Sequence, residues 1–209
     1  FLLPTGRQDS SAEMQFIKEN KMHKRRWFQI ILVVLVILII VVLLGPRAEI
    51  DTTLKPVQLP DDLDNYLAER EAQFDDLVPN TEATIVWASA DKSRTEYSIV
   101  YLHGFSTTRQ EMVPLPDNVA EALNANLFYP RLAGHGRSGA AMAEPSVNDW
   151  LNSANEALEI GRVIGDKVII IGSSTGGTLA TWLAGTSPEG IAALILISPN
   201  YTPNQGSMD

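Results

Sequence analysis

Hydrophobic positions along this chain fall into three regimes. From Trp27 to Leu44 the sequence reads WFQIILVVLVILIIVVLL, with Gln29 as the only strongly polar side chain and no charge. A helix rises about 1.5 Å per residue, so such a run comes close to spanning the roughly 30 Å hydrocarbon core of a bilayer. A buried core segment seldom runs this long without a polar face, and the pattern therefore predicts a transmembrane helix over 27–44. A cleaved signal peptide shares the basic start and apolar middle. Against it, the apolar part is long for a signal sequence, and the exit Gly45-Pro46-Arg47-Ala48-Glu49 offers no small-x-small cleavage site. Residues 45–60 read as a linker, polar and interrupted by Pro56 and Pro60.

Beyond residue 60 the apolar positions come in short runs. Asp61 to Leu77 carries a rough apolar stripe of Leu63, Tyr66, Leu67, Ala68 and Phe74 among acids, which predicts a packing helix. Strands are predicted at Thr84–Ala88, Tyr97–Leu102, Leu127–Pro130, Val168–Ile171 and Leu194–Ile197. Two helices lie between the last three strands: one starts at a capping-box-like Ser146-Val147-Asn148-Asp149 and reaches about Ile164, the other runs over Thr175–Ala184. Alternating strands and helices predict an α/β domain over 61–209, with a mostly parallel, doubly wound sheet.

Charge divides unevenly about the apolar run. Residues 1–26 hold six basic and three acidic groups, whereas 27–209 hold ten basic and 22 acidic ones. The acidic main body excludes nucleic acid as a partner on electrostatic grounds. Lys18, Lys21, Lys24, Arg25 and Arg26 crowd the N-terminal flank, and the positive-inside rule then places a basic leader, 1–26, in the cytoplasm and the α/β domain in the periplasm or outside the cell. Met14 is a more natural start than Phe1, and Phe1–Glu13 is assigned no role. There is no cysteine, and His23, His103 and His135 form no HxxxH or HExxH pair, so neither metal nor cofactor is expected.

Candidate chemistry sits where strands end. Val168-Ile169-Ile170-Ile171 runs into Gly172-Ser173-Ser174-Thr175-Gly176, a Gly-x-Ser-x-Gly turn entering a helix. Glycines two residues either side let strand and helix approach closely, and the serine between them is held at the tip of a strained turn facing substrate. Ser174 is the expected nucleophile. Acyl transfer also needs two preorganised N–H donors for the developing oxyanion; the backbone N–H groups of Thr175 and of Phe105, in Tyr101-Leu102-His103-Gly104-Phe105, fit that need. His103 is expected to shape this loop rather than act as base. His135 stands between Gly134 and Gly136 and is expected to anchor neighbouring loops, while Ser106 and Ser138 lie on loops near the expected site.

These three elements, in this order, resemble the α/β-hydrolase superfamily. The likeness is strongest to its lysophospholipase, monoglyceride-lipase and serine-aminopeptidase-like branch, which pairs an HGF-type loop with a GHG loop and a GxSxG elbow. It covers about Thr84 to Pro199. The resemblance implies an enzyme cleaving carboxylic esters, small-molecule or lipid, through an acyl-enzyme on Ser174, with Phe105 and Thr175 as the oxyanion hole and His103 and His135 as framework residues. An amidase, peptidase or thioesterase shares the same visible residues, and a non-catalytic binding protein on this fold is the rival from another class.

In that superfamily the order is Ser, then Asp or Glu, then His. No histidine follows Ser174 before Asp209, and a serine hydroxyl is a weak nucleophile without an adjacent base. The expectation is a fragment of a longer reading frame, inactive alone, with the triad acid and histidine outside it.

Overall fold

The computed structural model describes residues 10–44 and 51–201, which belong to two units, Phe1–Glu49 and Ile50–Asp209. Among the described residues of the first unit, one helix, α1 (Ser10–Leu44), carries the whole apolar run and continues back into the basic leader as far as Ser10. Its stretch Asn20–Leu44 is long and apolar enough to cross a membrane, by length and composition. The part of the expected linker at 45–50 lies outside the described residues.

The second unit is an α/β sandwich. Strands β1 (Thr84–Val86), β2 (Thr95–Leu102), β3 (Asn126–Tyr129), β4 (Gly165–Ser173) and β5 (Ile191–Ile197) form one sheet in the order β1-β3-β2-β4-β5. Only β1 runs antiparallel to its neighbour. The helices are α2 (Leu63–Glu71), α3 (Leu115–Leu123), α4 (Val147–Ile164) and α5 (Thr175–Thr186).

Side chains on the central strands alternate between two cores, as a period of two requires. Val100, Leu102, Val168 and Ile170 face one core with α2, α4 and α5, while Ile99, Tyr101, Ile169 and Ile171 face the other with Ala120 of α3. With both faces covered, β2 and β4 read as continuous apolar runs, which is why they were legible. Helix α4 starts as expected: Ser146 and Asp149 form a reciprocal capping box.

Beyond strand and helix ends that shift by up to three residues, three features depart from the expected elements. Helix α2 ends at Glu71, short of Leu77, because Phe74 leaves the helical path to lie between the guanidinium groups of Arg131 and Arg137, 4.6 and 4.3 Å from its ring centre. Helix α3 was not expected at all; it is nine residues long, with Pro116 in its first turn and Asn124 capping it in the left-handed conformation. The stretch after Asp51 is fastened to α4: Asn148 Nδ2 donates to the carbonyls of Asp51 and Thr53 at 3.0 and 2.9 Å, and Lys55 N–H donates to Asn152 Oδ1 at 2.7 Å.

Candidate active site

Parallel strands present their C-terminal ends on one side of the sheet, where connecting loops gather. At the end of β4 the chain turns into α5 through Ser174, whose φ of +48° and ψ of −113° lie in a region that only glycine adopts at ease. The turn is held from both sides. Ser174 N–H donates to the carbonyl of Ile197 at 2.9 Å, and its own carbonyl accepts from Thr178 N–H at 3.2 Å. Close approach explains the two glycines. A Cβ at 176 would stand 1.9 Å from the Leu102 carbonyl oxygen, and one at 172 would stand 2.6 Å from the Gly176 oxygen. Glycine at both positions therefore lets α5 press against the ends of β2 and β4.

The two candidate N–H donors come from either side of this junction. Thr175 opens α5, so its N–H has no acceptor within the helix. Phe105 follows the end of β2, and among the described residues its N–H finds no backbone acceptor. The residue is 52% exposed, and its ring meets those of Trp150 and His135 edge-on, at 5.8 and 6.0 Å between centres.

Both candidate histidines are buried beneath this loop. His103 accepts the Leu132 N–H on Nε2 at 3.2 Å, which leaves Nδ1 as the protonated nitrogen, 2.9 Å from the Gly104 oxygen. Burial pushes its pKa down to about 4. With both nitrogens engaged, His103 has none free to take a proton from Ser174. His135 sits between Gly134 and Gly136, both at positive φ, with Nδ1 3.0 Å from the Ala133 oxygen and its pKa lowered by burial. Its Nε2 is buried without a partner among the described residues. Ser106 stands in the left-handed conformation on the same exposed turn as Phe105, whereas Ser138 is drawn aside, its N–H donating to Asp76 at 3.3 Å.

Two residues that sequence reasoning passed over lie at the junction. Asn200, just past β5, donates from Nδ2 to Thr175 Oγ1 at 3.2 Å and accepts from Thr178 Oγ1 at 2.5 Å. Glu111 belongs to a single 3₁₀ turn, Arg109–Glu111, and its carboxylate collects donors from the Phe105 loop and from Ser173. Desolvation pushes that carboxyl up, but hydrogen bonds from Gly104 N–H, Tyr101, Thr107 and Ser173 outweigh it and hold the group below the ordinary glutamate value. Neither set of contacts can be read from a local pattern, since Ser173 meets Glu111, and Thr175 and Thr178 meet Asn200, only once the strand ends are brought together. Among the described residues there is no group of three or more His, Asp or Glu side chains disposed to hold a metal.

A strand, a glycine-bracketed serine turn and a helix packed on a parallel sheet form a recognisable unit, and residues 97–208, more than half of the chain, match the family model of the alpha/beta hydrolase fold. The chain belongs to the alpha/beta hydrolase fold family. Among curated members, a thermostable monoacylglycerol lipase from Bacillus sp. (strain H-257) is 32% identical over 91 residues, covering 44% of this chain and 36% of that protein. Among solved structures, a lipolytic enzyme of metagenome origin, from work on LipS and LipT, is 28% identical with a TM-score of 0.51, covering 57% of this chain and 46% of that one. The chain thus spans less than half the length of these alpha/beta hydrolase relatives.

Proposed function

We propose that this chain is the membrane-anchored part of a serine hydrolase that cleaves carboxylic esters, with Ser174 as nucleophile. The observation that carries the reading is the backbone of Ser174, at φ +48° and ψ −113° on the turn from β4 into α5. Strain of this kind costs about 1–3 kcal/mol and persists where the surroundings enforce it, as at sites of chemistry. In the proposed reaction Ser174 Oγ attacks the ester carbonyl carbon as a base removes its proton. The Phe105 and Thr175 N–H groups stabilise the oxyanion, collapse of the tetrahedral intermediate expels the alcohol, and water then releases the acid from the acyl-enzyme. An ester substrate is favoured over an amide or thioester by the two relatives, which are a monoacylglycerol lipase and a lipolytic enzyme.

We assign the anchoring to residues 27–44 within α1, with the basic flank on the cytoplasmic side and the hydrolase domain opposite. The length and composition of the helix support the anchor, and the excess of Lys and Arg before Trp27 supports the orientation.

The test is to express the complete reading frame containing this chain and treat it with a fluorophosphonate probe beside Ser174→Ala. Labelling of the parent and not of the variant is expected. A folded, full-length parent that takes no label would overturn the hydrolase reading in favour of a ligand-binding member of the family. Protease protection in sealed vesicles decides the orientation: the hydrolase domain should be cleaved only from the non-cytoplasmic side.

A further inference from the structure

The loop bearing Phe105 and the turn bearing Ser174 belong to different parts of the chain, and the two N–H donors assigned to the oxyanion sit one on each. Their spacing depends on whatever joins loop to turn. One carboxylate does so. Oε2 of Glu111 accepts the Gly104 N–H at 2.9 Å, the Tyr101 hydroxyl at 3.0 Å and the Thr107 hydroxyl at 3.1 Å, while Oε1 accepts the Ser173 hydroxyl at 3.2 Å. The donors come from β2, from the residue before Phe105, from the same loop beyond it, and from the residue before Ser174. A carboxylate is an acceptor with about four lone-pair sites, and here four donors meet it.

Space around the group is fitted as closely as its bonds. A Cβ on residue 104 would stand 3.0 Å from Glu111 Oε1, so the bare backbone at that position admits the carboxylate. Residue 111 as a whole is exposed, yet both of its carboxylate oxygens accept hydrogen bonds. A glutamate with no task beyond solvation has no reason to gather them. No histidine ring nitrogen bonds to Glu111 among the described residues, so the geometry does not make it the partner of a base.

We infer that Glu111 is a positioning residue: its carboxylate ties the Phe105 loop to the Ser174 turn and so fixes the separation of the Phe105 and Thr175 N–H groups. The inference rests on the proposed role of Ser174 and adds to it a residue that touches neither substrate nor nucleophile. The role is specific to the transition state, because the oxyanion forms there and not in the bound ester.

The neutral isostere divides charge from geometry. In Glu111→Gln the amide oxygen can keep the three donors of Oε2 while the amide nitrogen faces Ser173, whose hydroxyl can turn to accept. Glu111→Ala loses all four bonds. In the full-length protein, hydrolysis of a short acyl p-nitrophenyl ester should show kcat for Glu111→Ala falling roughly 30- to 100-fold, below the effect of deleting an oxyanion donor outright, with KM changed by less than about threefold. Glu111→Gln should recover most of that loss, and Ser173→Ala, which removes one of the four donors, should lower kcat a few-fold. A parent-like kcat in Glu111→Ala, or a rise in KM at unchanged kcat, would overturn the assignment. If Glu111→Ala does not fold, Ser173→Ala decides it: a parent-like kcat there overturns the role.

Amide exchange at Gly104 supplies a readout that needs no activity. The Gly104 N–H should be protected in the parent and in Glu111→Gln, whose amide oxygen keeps that bond, and should exchange faster in Glu111→Ala than in the parent. Equal exchange would show that the brace does not exist. Exchange that responds in a protein that cleaves no ester would instead locate the failure in the hydrolase reading.

Discussion

His103 and Leu132 are joined across the sheet's loop end, the Leu132 N–H donating to Nε2 of the buried imidazole at 3.2 Å. The bond ties the loop after β2 to the loop after β3, and it requires a neutral ring. Burial holds the His103 pKa at about 4 against an ordinary value of 6.5. The unfolded chain therefore binds the proton more readily between those values. The stability gained from this neutral histidine is complete above about pH 6.5 and is lost as pH falls toward 4, a change of about 3 kcal/mol. His135, also lowered by burial, acts in the same direction. Urea midpoints of the full-length protein in mild detergent should drop steeply from pH 7 to pH 4.5, and His103→Gln should flatten that drop while lowering stability throughout.

Glycines in and around α5 should respond in opposite senses. Gly176→Ala drives a methyl to 1.9 Å from the Leu102 oxygen, a backbone atom with no rotamer to escape into. Overpacking costs of 1–3 kcal/mol are typical, and this one should reach about 3 kcal/mol or more. Gly185→Ala, in the same helix with nothing within 4 Å of the new methyl, should stabilise by about 1 kcal/mol through helix propensity. Denaturant midpoints of the two variants check both signs.

Arg131 and Glu71 form an ion pair at 2.7 Å with side chains only 6% and 12% exposed. Removing one partner strands the other, so Glu71→Ala should cost about 3–5 kcal/mol. Replacing both, as in Arg131→Met with Glu71→Leu, should recover much of the loss, since a well-packed apolar pair avoids desolvation. Melting of the single and double variants measures the difference.

How much of this was legible in the sequence depends on the range of the interactions concerned. The turn at Ser174 is encoded locally, by four β-branched residues before it and two glycines around it, and the residues alone located it. Strand β4 begins at Gly165, three residues before the apolar run, because Asp166 and Lys167 are exposed and enter the sheet only through pairing with the start of β2. Helix α3 was hidden by its length and by Pro116, which reads as a breaker but sits in a first turn that tolerates it. Glu111 could not be picked out, since its partners at 101, 104, 107 and 173 come together only in the folded sheet. Asn200 was missed for the same reason.

The dihedral angles at Ser174 also set robustness of the fold against the activity proposed for that residue. A glycine there would adopt φ +48° and ψ −113° without strain, so Ser174→Gly relieves a conformation that the serine is made to bear. Selection for a sturdier fold alone would drift toward that replacement. A lineage that keeps serine at 174 is retaining a destabilised position, and the hydroxyl is the one thing the strain secures.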